Sequence, residues 1–88
     1  MKLKGEFILR EIAGDVILVP VGRTALAFNG IITLNQTGIE IWKGLQANKS
    51  REQLLDALLE QFDVPAEQAA KDLDAFLAHL LENDLIEP

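Results

Sequence analysis

An apolar, β-favouring run, Ile31-Ile32-Thr33-Leu34, stops at Asn35, and a helical pattern takes over within three residues. Thr37 and Glu40 have the spacing of a capping box. In that motif Thr37 accepts from the backbone N–H of Glu40, and Glu40 reaches back to the N–H of Thr37. Trp42, the only tryptophan, follows on the first or second turn of the helix. Strand and helix are thus joined with almost no connecting chain, and a large aromatic sits at the corner. Such a junction fixes the angle between a sheet and a helical layer, so it constrains the fold more than any other stretch.

The residues before the junction read as strands. Residues 7–12 form a first β-type run, ended by Ala13-Gly14-Asp15, and residues 16–19, extending toward Val21, form a second. Gly14-Asp15 between them is a hairpin signal, and Pro20 and Gly22 end the second strand. Residues 25–28 and 31–34 flank Asn29-Gly30, the dipeptide that a type I′ turn favours because both central residues need positive φ. The spacing therefore predicts a second hairpin there, its first arm a strand fragment.

After the junction the period becomes helical. A first helix is predicted over residues 38–45, with Ile39, Ile41, Trp42 and Leu45 as candidates for its inner face. Asn48 or Ser50 opens a second helix. Ser50 and Gln53 form a capping box, and Leu54, Leu55, Leu58, Leu59 and Phe62 form its apolar stripe. Pro65 ends that helix and suits the start of the next, predicted over residues 65–83. On this third helix Ala66, Ala69, Ala70, Leu73, Phe76, Leu77, Leu80 and Leu81 lie within an arc of roughly 140°. Leu85 and Ile86 add two apolar groups that can close the core. The expected fold is α+β: a small three-stranded antiparallel sheet followed by three helices, in one domain spanning residues 1–88.

An 88-residue chain makes a modest core, burying about 60–65% of the surface exposed when unfolded. It contains no cysteine, which excludes disulfides, thiolate metal ligands and thiol nucleophiles and suits a cytoplasmic protein. No run approaches the length of a membrane span, and the amino-terminal residues lack the apolar stretch of a signal peptide. The net charge is −6, with 8 basic and 14 acidic residues, which opposes nucleic acid and anionic lipid.

Catalysis finds little support among these residues. His79 is the only histidine and Ser50 the only serine, and Ser50 serves better as a cap. The carboxylates have no metal-loop spacing, no glycine-rich phosphate loop is present, and neither a metal nor another cofactor is expected. Three helices beside a hairpin suggest a winged helix-turn-helix, whose third helix would enter DNA. Here, however, that helix carries Lys71 alone against Glu67, Asp72, Asp74 and Glu82. Peptide binding is the reading that survives: a sheet edge beside an apolar helix offers backbone hydrogen bonds and side-chain pockets. Ala66, Ala69 and Ala70 could leave room for a peptide, although Leu73 and Phe76 read equally well as plain core.

Leu34-Asn35-Gln36-Thr37-Gly38 with Ile41-Trp42 resembles the PqqD-like family. So do the later residues Leu54-Leu55-Asp56-Ala57-Leu58, Phe62-Asp63-Val64, Asp72, Phe76-Leu77, Leu80-Leu81 and Leu85-Ile86. The resemblance implies a winged-helix-like domain that recognises ribosomally made, modified peptides. Its type member presents a precursor to a radical SAM enzyme in pyrroloquinoline quinone biosynthesis. It implies a leader peptide added as a strand beside Ile31, Ile32, Thr33 and Leu34, against a wall of Ala69, Asp72, Leu73 and Phe76. Asn35, Thr37 and Trp42 are expected to hold the junction rather than touch the peptide. If the Asn29-Gly30 hairpin formed, its first arm would cover one edge of that strand. The expected partners are therefore a leader peptide and a radical SAM-type modifying enzyme, with neither nucleic acid nor membrane. The alternative is a structural or regulatory domain that homodimerises through the same strand.

Overall fold

The computed structural model describes residues 1–27 and 30–87. In chain order the elements are β1 (Lys2–Leu3), β2 (Phe7–Ile12), β3 (Asp15–Pro20), α1 (Thr24–Ala27), β4 (Ile32–Leu34), α2 (Gln36–Gln46), α3 (Arg51–Gln61), α4 (Ala66–Glu82) and β5 (Ile86–Glu87). The antiparallel sheet has the order β2-β3-β4, and a separate two-stranded ladder joins β1 to β5. Sheet and helices together make the α+β, winged-helix-like fold expected from the sequence.

The first hairpin turns on Ala13 and Gly14, because Ile12 pairs with Asp15. Both turn residues have positive φ, 53° and 87°, as a type I′ turn requires. The turn therefore lies one residue earlier than the Gly14-Asp15 signal suggested. Val16, Leu18, Ile32 and Leu34 share one face by register, since Val16 pairs with Leu34 and Leu18 with Ile32. Leu18, Ile32 and Leu34 on that face are buried against the helices.

The predicted hairpin over residues 25–34 is corrected. Thr24–Ala27 is a turn of helix, not a strand arm, in keeping with the helix propensity of its Ala-Leu-Ala sequence. Phe28 and Asn29 lie outside the described residues, and β4 begins at Ile32 rather than Ile31. No described segment therefore pairs with the second edge of β4; β3 occupies the first.

The capping assignment at the junction is corrected as well. Asn35, not Thr37, is the N-cap of α2: its backbone is extended (φ −84°, ψ −179°) and its side-chain oxygen accepts from Gly38 N at 2.8 Å. Asn caps as well as Thr does, and capping directly after Leu34 lets the helix start two residues sooner. Glu40 Oε2 instead accepts from Gln61 Nε2 on α3 at 2.9 Å. The Ser50–Gln53 capping box is present as read.

Trp42, Ile41 and Leu45 of α2, Leu54 and Leu58 of α3, and Ala69, Leu73, Leu77 and Leu80 of α4 are buried in one core with Leu85 and Ile86. Ala66, Leu59 and Leu81, placed on apolar stripes by periodicity, are exposed. The Phe7 ring meets Trp42 edge-to-face, with centroids 5.6 Å apart and planes at 84°. Gly44 lets α2 and α3 close together, since a Cβ there would collide with buried Leu54. Arg51 on α3 grips Asp74 on α4 through two hydrogen bonds of 2.7 and 2.8 Å. These contacts hold α4 in a fixed position alongside β4.

Candidate functional site: an open strand edge beside a helical wall

β4 and α4 flank an open cavity of about 480 Å³, lined by Ile31, Ile32, Thr33, Asn35, Thr37, Gly38, Ile41, Asp72, Ala75, Phe76 and His79. One wall is the strand whose second edge has no partner among the described residues. An edge strand carries a row of backbone N–H and C=O groups available to another chain. The opposite wall is one face of α4, where residues 72, 75, 76 and 79 recur at the i, i+3, i+4, i+7 spacing of a single stripe. The floor comes from the first turns of α2.

The floor depends on Gly38. A Cβ there would stand 3.3 Å from both Asn35 Oδ1 and Leu34 Cδ2, and 3.5 Å from the Phe76 ring. Glycine thus lets the cap close and the Phe76 ring lie low over α2. The same residue donates the N–H that Asn35 accepts, so one i, i+3 pair shapes both the corner and the cavity.

Of the strand and helix residues that the sequence named as contacts, Ile31, Ile32, Thr33, Asp72 and Phe76 line the cavity. Leu34, Ala69 and Leu73 do not: they are buried in the core behind it. Alternation along β4 turns Leu34 inward where Thr33 turns outward. Ala69 and Leu73 belong to the neighbouring stripe of α4, with Leu77 and Leu80. Asn35 and Thr37, assigned to the junction alone, both border the cavity, whereas Trp42 lies in the core. Gly38, Ile41, Ala75 and His79 were missed as cavity residues. The 72/75/76/79 spacing was legible, but it is half polar and so gives way to the stronger apolar stripe beside it.

The cavity is mainly apolar, with a carboxylate and an imidazole on its helical wall. Asp72 Oδ1 accepts from Gln68 Nε2 at 2.8 Å. Ion pairs among the described residues are Lys4–Asp84, Glu40–Lys43 and Arg51–Asp74, and none involves Asp72. The hydrogen bond and charge of Arg51 hold the Asp74 carboxyl below its ordinary pKa, but this pair lies between α3 and α4, outside the cavity lining. No group of three or more His, Cys, Asp or Glu residues among those described could hold a metal ion. Ser50 is engaged in its cap while His79 lines the cavity, so the two are committed to different places.

The model of the family described as coenzyme PQQ synthesis protein D matches residues 14–86. The chain belongs to the PqqD family. No curated protein sequence matches it. Two solved structures share the fold. One is TbiB1 in complex with the TbiA(beta) leader peptide, 25% identical, covering 99% of this chain and 95% of that one with a TM-score of 0.74. The other is a lasso peptide synthetase B1 complexed with the leader peptide, 21% identical, covering 99% and 96% with a TM-score of 0.72. The PqqD-family match begins just after β2, yet the likeness to both structures runs through β1 and β2 as well.

Proposed function

We propose that this PqqD-family chain is a non-catalytic recognition module that binds the leader of a ribosomally made precursor peptide. The peptide adds as a strand to the free edge of β4, and its inward side chains enter the cavity against α4. The observation that carries this reading is the juxtaposition of an unpartnered strand edge with a helix-walled cavity of mixed apolar and polar lining. It is supported by membership of the family and by the leader peptides bound to TbiB1 and to the lasso peptide synthetase B1.

The energetics favour a combined mode. Four or five backbone hydrogen bonds at about 0.5–1.5 kcal/mol each yield a few kcal/mol, whereas micromolar binding needs about 8. Side chains seated around Ile41 and Phe76 must contribute the remainder, and the cavity provides a place for them.

The module would act in the cytoplasm by handing the peptide to a modifying enzyme, of radical SAM type if the family's type member is the guide. No helix among the described residues is long and apolar enough to cross a membrane. Titration with any short precursor found encoded beside this chain should shift the backbone amide resonances of residues 31–35 and 72–79. Saturable binding that leaves those amides still and moves another face would refute the site. Co-elution with a neighbouring radical SAM enzyme supports that partner; co-elution with a different modifying enzyme replaces it. Homodimerisation through β4 would occupy the same edge, so sedimentation should show a monomer, and a tight dimer indifferent to the peptide would favour the alternative.

A further inference from the structure

Resting on that reading of the cavity, we propose that the site selects a strand carrying a basic side chain two residues from a bulky apolar one. Asp72 receives the base, and Phe76 with Ile41 receives the apolar group. The inference follows from spacing and charge. Asp72 and Phe76 are one turn apart on α4, about 6 Å along its axis. Successive inward-facing side chains of an added strand are about 6.6–6.8 Å apart. On a strand running along α4, two such side chains reach the two helix positions together, while the intervening residue faces away.

The charge argument is independent of the spacing. No lysine or arginine lines the cavity, and the chain as a whole carries −6. Asp72 binds Gln68 through Oδ1, and among the described residues Oδ2 has no partner and no cation forms an ion pair with the group. A lysine or arginine on the peptide can pair with this exposed carboxylate without displacing a protein cation. A peptide carboxylate at that position meets repulsion both locally and from the net field. Asp72 is thereby a specificity-determining residue, not a source of most of the affinity.

The test is selection of random linear peptides on the intact protein, followed by the same selection on Asp72→Asn and Asp72→Lys. Circular dichroism should confirm that both variants fold, as expected for a substitution at an exposed helical position. The wild type should enrich Lys or Arg two residues from Leu, Ile, Phe, Tyr or Trp. For an enriched peptide, replacing the base by a neutral residue should weaken binding about two- to five-fold, the range of a solvent-exposed ion pair. Replacing it by Glu should weaken binding roughly tenfold. Asp72→Asn should abolish the preference and Asp72→Lys should invert it toward Asp or Glu, a reversal that a merely structural role for Asp72 would not produce. Enriched strands with no basic preference, or a preference untouched by Asp72→Lys, would overturn this inference and leave peptide binding standing. Failure to enrich any peptide that competes for the β4 edge would overturn both.

Discussion

Asn35 shows how one side chain can set both a fold and a site. It ends β4, caps α2 through Gly38 N, and borders the cavity. Asn35→Ala should cost about 0.5–2 kcal/mol in urea denaturation, the usual loss for an N-cap, and leader affinity should fall with it as the floor loosens. Thr37→Ala should cost far less, because Thr37 already lies inside the helix and caps nothing. Equal destabilisation by the two would return the cap to Thr37. The Thr37–Glu40 spacing pointed to Thr37 as the cap, but Asn accepts as well as Thr does, and the end of the strand at Leu34 places the cap at Asn35. Trp42 was legible for a simpler reason. A lone tryptophan on an apolar helical face has few places to go except the core, where it meets Phe7 edge-to-face.

Long periodic elements were readable because their patterns repeat over several turns or carry matched caps, as at Ser50 and Gln53. Short elements were not. Residues 24–27 carry apolar groups that suit a strand fragment as well as a helical turn, and the choice rests on the tertiary path between β3 and β4. That choice matters for function, since a strand arm there would have competed for the edge of β4. If peptides bind by extending the sheet, N-methylation of alternate leader amides should have a period-2 effect. Methylation in the register facing β4 should weaken binding at least tenfold, and in the other register far less. A uniform response, measured by isothermal titration, would argue for side-chain docking without strand addition. Between α3 and α4, the pairing with Arg51 depresses the Asp74 pKa. A depressed folded-state carboxyl stabilises above its unfolded pKa, and the effect is lost as pH falls through the folded value. Asp74→Asn should therefore lower Tm at pH 7, and the difference from wild type should shrink to nothing below the carboxylate range, at about pH 2.

Across the whole molecule, the two ends of the chain meet beneath the helices. Leu3 pairs with Ile86 and Lys2 with Glu87, Lys4 N donates to Leu85 O at 2.8 Å, and Lys4 Nζ reaches Asp84 Oδ1 at 2.8 Å. The sequence foretold that Leu85 and Ile86 would close the core but not that residues 2–4 would cover them. A two-residue strand leaves no periodicity to read, and its partner lies more than eighty residues away, as the Leu3–Ile86 and Lys2–Glu87 pairs show. Closure at this end leaves the cavity untouched, because β1 and β5 contribute none of its lining. Stability and recognition should therefore separate. Removing residues 1–5 takes partly buried Met1 and Leu3 from the core, where a fully buried aliphatic side chain is worth about 1.5–3 kcal/mol. A loss of about 1–3 kcal/mol follows, and each kcal/mol should lower Tm by about 4–8 °C in a domain of this size. At a temperature where the shortened chain is still folded, its affinity for the leader should match that of the intact chain within about two-fold, since it keeps β4, α2 and α4 and loses no cavity residue. Calorimetry and fluorescence anisotropy on the same samples would settle the point: a large affinity loss in the folded, shortened protein would mean that the amino-terminal strand takes part in recognition.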